Sequence, residues 1–502
     1  MTIAILVVFG LVVLWMSVYG YVISAKTSED YMLAGRGIGI LVMFFFMLFS
    51  ISSAWTFYGY PGYLYTHGPG YVYFIWGCVA GFAGLYMFLG PRVWAVARLN
   101  RFLSPVEMVA ARYESKALRV ILAVLLLAFI IPYVGIQPIG VGLGFEALTG
   151  MPALFGIIYT IVLLILIVFL GGMRTTAWVN VFLGAVYAIT FLGSLIWIIN
   201  MLFPGGLAEA TEIIAENKPQ LLSAPGPEGY FSHVTIAGLL IVGMLAFSWP
   251  HVVIGTMTAR DKLIFKWLPL LAIVAGGFLF YTIPFIWGAI VAPAVSYLPD
   301  TLVPPMSGKE ADNVVQVIVT KYLPGWFSTF VLMGVIAASI STAAVQLLTS
   351  SIFVSRDLIH GVFKPQAEDR ELMVWTKGSV LLLVTLTFFI ALWNPARLAD
   401  YLTSVSVPGF AQWAPCLLGA VLWKRATKQG AIAGVLGGTV VLLAGFIVAP
   451  GNAELLGKII IGSLVLNIIL FIVVSKLTPA PSAEIQAKFY DEVDGFLSNP
   501  AA

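Results

Sequence analysis

Long apolar runs separated by short polar breaks dominate the hydropathy pattern of this chain. A helix needs about 20 mostly apolar residues to cross the hydrocarbon core of a bilayer, and most of the runs are close to that length. The pattern therefore predicts an all-α polytopic membrane protein with 13 transmembrane helices. The predicted spans lie near 3–23, 40–60, 70–91, 117–148, 152–170, 177–203, 234–256, 267–293, 323–354, 374–393, 400–422, 430–449 and 457–475.

Composition supports a membrane location, since 60% of the 502 residues are hydrophobic and only 10% are charged. A water-soluble chain needs far more charge to cover its surface, so a lipid bilayer is the predicted solvent. The formal net charge of +3 gives no basic surface for nucleic acid, which is excluded as a partner. The two cysteines and four histidines show no metal-ligand spacing. We expect no partner chain, so the protein should function as a monomer.

The distribution of lysine and arginine predicts the orientation in the membrane. Cytoplasmic loops of membrane proteins are enriched in these residues, and one missed span would invert the pattern downstream of the error. With the N-terminus outside, most of the 26 basic residues fall inside. We therefore expect a bacterial inner-membrane protein with a cytoplasmic C-terminus. The basic residues left outside are Lys218, Lys309, Lys321, Arg397 and Lys458.

No soluble domain interrupts the series of apolar runs. Residues 1–477 are predicted to form a single membrane transport domain. In it, a leading helix precedes two blocks at about 40–203 and 234–422, and two trailing helices occupy 430–475. Residues 478–502 are polar and contain alanine and proline, so they are predicted to form a weakly ordered cytoplasmic tail.

The chemistry of the spans is limited by the side chains that they lack. No Asp, Glu, Lys or Arg lies near the middle of any predicted span, and Glu146 and Asp400 fall at the ends of theirs. Proton relays in membranes use carboxylates, and a membrane enzyme needs clustered His, Cys or carboxylate groups. Neither function is expected. The remaining hydroxyls, amides and carbonyls suit an alkali cation and a small solute.

The second span contains a serine cluster at mid-depth, formed by Ser50, Ser52 and Ser53. One interpretation is an unwound segment that exposes carbonyls to an ion and directs a helix N-terminus at an anion. The other is that these small residues only permit close helix packing. The residues alone leave both interpretations open.

The ninth span contains Ser341 and Thr342 one turn after Ala338. The two hydroxyls and the Ala338 carbonyl form a set of oxygen ligands on one helix face. Hydroxyls in membrane helices also bond the carbonyl four residues earlier, and considered alone the residues favour that second interpretation.

Two further spans combine prolines with polar side chains. The fourth span contains Tyr133 and Gln137, which lie four residues apart and therefore share a helix face. The prolines around them, Pro132 and Pro138, free backbone carbonyls. The seventh span ends in Ser248-Trp249-Pro250-His251, where the histidine is equally consistent with an interfacial residue bonded to backbone.

Several motifs occur in order and in register with the spans. They are Asp30-Tyr31-Met32-Leu33-Ala34-Gly35-Arg36, Ser104-Pro105-Val106-Glu107 with Ala111-Arg112-Tyr113, Gly171-Gly172-Met173-Arg174 with Trp178, and Ser341-Thr342 with Gln346-Leu347-Leu348 and Arg356-Asp357-Leu358. Through them the chain resembles the sodium:solute symporter family over nearly its whole length. A second set of segments resembles the monocarboxylate-permease branch of the family, with the pantothenate permeases as the nearest rival. These segments are 91–98, Thr56-Phe57 with Pro61, Tyr133 with Gln137, and Trp249-Pro250-His251.

The resemblance implies a leucine-transporter-type core of two inverted five-helix repeats, which would occupy the two blocks above. It implies Na⁺ as the coupling ion and a small organic acid as the solute. The implied sodium ligands are Phe49, Ser52, Ala338, Ser341 and Thr342, so the resemblance favours the ligand interpretation of the ninth span. The implied solute-binding residues are Trp55, Thr56, Tyr133, Gln137, Trp249 and His251.

The chain departs from the family at three positions. Asn180 and Leu183 stand where relatives often have Asp and Gln, and Ile51 stands where the proline-transporting branch has Asp. The third departure argues against proline as the substrate. The expected activity is therefore sodium-coupled symport of a monocarboxylate by alternating access, with pantothenate or another neutral or zwitterionic metabolite as the alternative.

The predicted orientation places Lys116 inside and Lys218 outside. In a cysteine-free background, a membrane-impermeant maleimide added to intact cells should modify a cysteine at position 218 and leave one at position 116 unmodified. Labelling both variants after permeabilisation controls for reactivity. The reverse pattern would contradict the whole orientation.

Overall fold

The structure is a computed structural model that describes residues 1–393, 401–449 and 453–499. All regular elements in these ranges are helical, in agreement with the predicted all-α class. The backbone also contains one isolated parallel bridge, between Ile38 and Ala259. Asp400 and Arg397, which the sequence placed at a span end and in an outer loop, lie outside the described residues.

The first half of the chain contains twelve α-helices. They are α1 (Thr2–Ile23), α2 (Ser28–Leu33), α3 (Ile40–Phe49), α4 (Tyr60–His67), α5 (Val72–Gly84), α6 (Gly90–Leu99), α7 (Pro105–Arg112), α8 (Lys116–Thr149), α9 (Leu154–Leu164), α10 (Gly171–Leu202), α11 (Gly206–Asn217) and α12 (His233–Met244).

The second half continues in the same way. Its helices are α13 (Pro250–Met257), α14 (Ile264–Leu271), α15 (Thr282–Ile286), α16 (Ala292–Ser296), α17 (Val314–Tyr322), α18 (Gly325–Ile352), α19 (Asp369–Trp393), α20 (Val407–Ala411), α21 (Ala414–Leu422), α22 (Lys428–Val448), α23 (Ala453–Leu477), α24 (Ala483–Gln486) and α25 (Glu492–Ser498).

Short π-helical segments join many of these helices into longer rods. They are Trp55–Gly59, Leu85–Leu89, Ile165–Leu170, Ala272–Tyr281, Trp287–Val291, Phe353–Phe363, Tyr401–Ser406 and Ala487–Asp491. Turns of 3₁₀ helix occupy Ala34–Arg36, Pro69–Tyr71, Pro219–Leu222, Pro227–Gly229, Leu245–Ser248 and Gly308–Asn313.

The predicted count of 13 transmembrane helices is not confirmed. Within the described ranges, 11 helical segments are long and apolar enough to cross a membrane. Two features explain why the structure has fewer candidate spans than the sequence predicts. The span predicted at 40–60 is interrupted after the short apolar helix α3, and the spans at 152–170 and 177–203 lie on one helical segment, Leu154–Leu202, with no loop between them.

Helix α18 lies at the centre of the molecule. Its most apolar stretch is 100% buried by protein, whereas the corresponding stretch of α1 is only 28% buried and leaves most of its surface for lipid. The helix packs against α8 and α10. Because this stretch is buried by protein, its polar groups need partners within the protein or from a bound ion or solute.

The motifs before α8 and after α18 meet in a buried ion-pair cluster. Arg119 Nε lies 2.9 Å from Asp357 Oδ1, and Arg356 Nη2 lies 2.7 Å from Glu107 Oε1. The hydroxyl of Ser104 donates to Asp357 at 2.5 Å. These bonds attach the end of the central rod to α7 and the start of α8, because a buried carboxylate needs compensating partners.

The tail after α23 is folded, so the expectation of a weakly ordered segment is wrong for residues 478–499. It forms α24, a π-helical turn and α25. Phe489, Tyr490 and Val493 are buried against the transport domain. The polar composition hid this docking, since the apolar side chains that make the contact are few and are separated by polar residues.

The segment Leu154–Leu202 breaks at Gly172, which has φ +57° and ψ −151°. A Cβ atom at this position would lie 2.5 Å from the backbone oxygen of Tyr31. The Tyr31 hydroxyl donates to Val168 O at 2.6 Å, just before the break, and Arg174 Nε lies 3.1 Å from Asp30 Oδ1 just after it. Helix α2 therefore packs directly into the kink.

The Gly172→Ala substitution should destabilise the protein by about 1–3 kcal/mol, because alanine meets both an unfavourable φ and a backbone clash. Thermal unfolding of the purified protein in detergent measures the effect as a lower melting temperature. Gly378→Ala is the matched control, since a Cβ there meets nothing within 4 Å and alanine is favoured inside a helix. Equal melting of Gly172→Ala and wild type would contradict this account.

Candidate ion and solute site

The helix that begins with α3 is interrupted in the middle of the molecule. Helix α3 ends at Phe49, residues 50–53 are not helical, and the helix resumes at Ala54. The serine cluster favours the interruption, because Ser50 Oγ donates to Met47 O at 2.9 Å and Ser52 Oγ donates to Leu48 O at 3.0 Å. Such side-chain bonds compete with continued helix formation.

Two predicted solute-binding residues cap the resumed helix. Thr56 Oγ1 accepts a hydrogen bond from Ser53 N at 3.2 Å. Gln137 Oε1, from α8, accepts one from Ala54 N at 3.0 Å. Both backbone groups would otherwise be buried without partners, so these two side chains stabilise the break itself.

The interruption leaves two carbonyls directed at α18. Ser341 Oγ donates to Phe49 O at 2.9 Å, and Thr342 Oγ1 donates to Ser52 O at 2.8 Å. Ser341 Oγ also lies 2.8 Å from Ala338 O. The structure therefore brings all five predicted sodium ligands together, and every one of them is buried.

These five oxygens form a set of neutral, hard ligands without a carboxylate. Hard cations are coordinated by carbonyl and hydroxyl oxygens. In the geometry described, the two hydroxyl protons bridge to the carbonyls and hold α3 against α18. A cation at this position would take over that role, with the hydroxyl protons turned away from it.

Three other predicted residues form an aromatic group beside the break. The ring centroids of Tyr133 and Trp249 are 5.9 Å apart, those of Tyr133 and His251 are 5.9 Å apart, and those of Trp249 and His251 are 5.7 Å apart. Trp249 Nε1 and both ring nitrogens of His251 are buried and have no hydrogen-bond partner among the described residues. Such atoms are suited to a polar ligand.

Trp55 belongs to a different group of rings. Its indole stacks on Tyr60 with centroids 5.3 Å apart and meets Phe74 edge-on at 5.9 Å. The indole Nε1 is likewise buried without a partner in the described part of the chain. The six predicted solute-binding residues therefore lie in three places. Thr56 and Gln137 cap the helix after the break, Tyr133, Trp249 and His251 form the aromatic group (the Tyr133 group), and Trp55 lies in a separate group of rings.

Sequence reasoning missed the residues that enclose the Tyr133 group. Phe82 from α5 lies 5.5 Å from the Trp249 ring, and Phe410 from α20 lies 6.5 Å from His251. Trp413 Nε1 donates to Ser248 O at 2.6 Å and fixes the segment before Trp249. Each occurs in an ordinary apolar run, so no local signal distinguishes it from lipid-facing or core positions.

The family follows from comparison with known proteins. The model of the sodium:solute symporter family matches residues 31–438. The chain belongs to the sodium:solute symporter family. It is therefore a multi-pass membrane protein that couples solute transport to Na⁺.

A similar characterised relative is the sodium/proline symporter of Staphylococcus aureus (strain USA300 / TCH1516). It is 26% identical over 503 residues, which cover 95% of this chain and 93% of that protein. With this coverage, the similarity between the two chains extends over the trailing helices as well as the core.

Two solved structures show the fold. One is the substrate-bound outward-open state of a Na⁺-coupled sialic acid symporter, with a TM-score of 0.80, 17% identity, and coverage of 96% of this chain and 98% of that one. The other is a nucleobase-cation-symport-1 family transporter in a closed conformation with bromovinylhydantoin bound, with a TM-score of 0.50, 14% identity, and coverage of 91% and 97%. Both have the leucine-transporter-type fold, which the resemblance implied.

Replacing Ser341 by alanine removes one of the two hydroxyls between α3 and α18. The Na⁺ concentration for half-maximal transport should rise about tenfold, which corresponds to about 1.4 kcal/mol. Thr342→Val should act in the same direction. Ser350→Ala is the matched control, because that buried hydroxyl on the same helix donates only to its own Gln346 O, at 2.8 Å. Sodium dependence identical to wild type in both site variants would contradict the assignment of these ligands.

Proposed function

We propose that this protein is a sodium-coupled symporter of small organic monocarboxylates. In this proposal Na⁺ is held by Phe49 O, Ser52 O, Ala338 O, Ser341 Oγ and Thr342 Oγ1, and the solute binds between the break and the Tyr133 group. The observation that carries the proposal is the convergence of those five oxygens on the interrupted helix.

The charge balance of the site favours an anionic solute. The five oxygens are neutral, so a bound Na⁺ leaves one positive charge in a low-dielectric region. The resumed helix adds the positive end of its dipole at Ala54. A carboxylate placed between them compensates both charges, whereas a solute cation would be repelled.

The aromatic group supplies the remaining recognition. Trp249 Nε1 is a hydrogen-bond donor, and neutral His251 has one donor and one acceptor nitrogen. Their partners in this proposal are polar atoms of the solute, while the ring faces contact its short carbon chain. This combination suits a small acid with an apolar body and a polar substituent.

Binding of the ion and binding of the solute are coupled because both ligands contact the interrupted helix. The ion contacts the carbonyls of the break, and the solute contacts the helix that starts at the same break. Each ligand therefore stabilises the arrangement that the other one binds, and this reciprocity is the thermodynamic requirement for symport.

A second candidate is a zwitterionic solute such as proline, which the name of the Staphylococcus aureus relatives favours, whereas pantothenate is itself a monovalent carboxylate. Against proline, the break of this chain carries the apolar Ile51 where an acidic residue would pair with the ring ammonium. The two candidates differ in charge movement, because one Na⁺ with one monovalent anion moves no net charge.

Uptake by purified protein in proteoliposomes tests the proposal. With an inward sodium gradient, labelled short-chain monocarboxylates should accumulate more strongly than labelled proline or pantothenate. Uptake should respond weakly to an imposed membrane potential, although each uncompensated charge would contribute about 2.3 kcal/mol per 100 mV. Protein-free liposomes and a potassium gradient are the controls. Sodium-driven proline uptake, strongly accelerated by an inside-negative potential, would instead support the second candidate.

A further inference from the structure

A polar cavity lies where the end of α7 and the start of α22 meet the C-terminal tail. Its volume is about 240 Å³. A cavity needs only about 10–15 Å³ to hold one water molecule, so this one has room for a phosphate group together with water. Residues 479–482 of the tail line one side, and the rest of the lining includes Arg112, Glu114, Ala426, Thr427, Lys428 and Gln429.

Arg112 is a buried cation, 1% exposed, whose hydrogen-bond acceptors among the described residues are all neutral. Its Nε donates to Tyr490 Oη at 3.2 Å, and its Nη2 donates to Lys424 O at 3.0 Å. Nη2 also lies 3.4 Å from the carbonyl oxygen of Ala426, which lines the cavity, so the guanidinium group reaches the cavity wall.

The remaining nitrogen of this guanidinium group, Nη1, is buried and has no hydrogen-bond partner in the part of the chain that the structure describes. A buried charge is costly unless it is paired, and a buried donor is costly unless it is bonded. An anion in the cavity would meet both requirements of Arg112.

The start of α22 supplies a second group of donors to the same cavity. Thr427 Oγ1 accepts from Gly430 N at 3.3 Å. The N–H groups of Lys428 and Gln429, which both line the cavity, have no acceptor inside the helix. The helix is 21 residues long, so the positive end of its dipole lies at this point. The Lys428 side chain is exposed and adds a second cation.

We propose that this cavity binds a phosphate-bearing anion between the Arg112 guanidinium group, the first N–H groups of α22 and the Lys428 ammonium group. A guanidinium group and a helix N-terminus are both characteristic phosphate-binding groups. The described lining has one carboxylate, that of the exposed residue Glu114, against two cations. Glu114 therefore weakens the attraction without cancelling it.

The phosphate group has two sources that the position of the cavity allows. The cavity lies beside the first residue of α22 and just beyond Leu477, the last residue of α23. Both helices are long and apolar enough to cross a membrane, so their ends lie near the level of the lipid headgroups. One source is therefore a phospholipid headgroup, and the other is a free phosphate compound from the adjoining solution.

Thermal unfolding of the full-length protein tests the proposal without any transported solute. The protein is purified in dodecyl maltoside and freed of phospholipid, as checked by a phosphorus assay. Potassium phosphate is then titrated at neutral pH, with potassium chloride added to keep the ionic strength constant. The melting temperature should rise and saturate, because a ligand that binds only the folded state stabilises it.

Charge changes at exposed positions show whether the binding occurs in this cavity. Arg112 also bonds the loop before α22, so its replacement would disturb the fold. Lys428→Glu should instead raise the phosphate concentration for half-maximal stabilisation about tenfold, and Glu114→Gln should lower it about threefold. Lys116→Glu is the matched control, because Lys116 is exposed nearby but does not line the cavity, and it should bind like wild type.

Nanodiscs distinguish the two sources. One set contains phosphatidylglycerol, and the other contains a galactosyl diacylglycerol, which has no phosphate. Stabilisation by phosphatidylglycerol that is lost in Lys428→Glu would identify a lipid headgroup as the ligand. A phosphate response that persists in phosphatidylglycerol would identify a free phosphate compound.

Three results would each overturn the proposal. The first is a wild-type melting temperature that neither phosphate nor phosphatidylglycerol raises. The second is an equal loss of binding in Lys428→Glu and Lys116→Glu, which would show a general charge effect. The third is weaker phosphate binding by Glu114→Gln than by wild type.

Discussion

The contact between the unwound segment of α3 and the hydroxyls of α18 is the constraint on which the centre of this protein depends. The helix is interrupted at residues 50–53. Inside a membrane protein, such a break leaves backbone N–H and C=O groups without helical partners, and lipid cannot form hydrogen bonds with them. Here Ser341 and Thr342 bond the freed carbonyls, and Gln137 and Thr56 bond the freed amides. Ser341, Thr342 and the two carbonyls that they bond are also predicted ion ligands.

The surrounding architecture keeps this contact in position. The central rod of α18 is buried from Val331 to Ile352, and the Asp357 and Glu107 ion pairs fix its far end to α7 and α8. The interrupted helix and α13 both carry predicted site residues, and the Ile38–Ala259 bridge lies next to one end of each.

The predicted site has two parts, which differ in whether their polar atoms have hydrogen-bond partners within the protein. Its neutral oxygens bond each other through two hydroxyl protons, so they are satisfied without charge compensation. The Trp249 and His251 nitrogens are not satisfied within the described residues, and burial of such groups is costly unless a ligand completes them. The two parts therefore differ chemically, and in the proposed function the first receives the ion and the second the solute.

The sequence determined the all-helical membrane class and the family, because apolar length and motif order are local properties of the chain, and through the family resemblance it predicted five ion ligands. It did not determine whether Ser341 and Thr342 bond their own helix or another one, since both choices satisfy the same hydroxyls. In the structure Thr342 bonds Ser52 of the interrupted helix, and Ser341 lies within hydrogen-bond distance of both Phe49 O and its own Ala338 O. Helix length alone did not reproduce the 13 predicted spans. The docked tail and the rings of Phe82 and Phe410 depend on long-range packing, which leaves no periodic signal in the residues themselves.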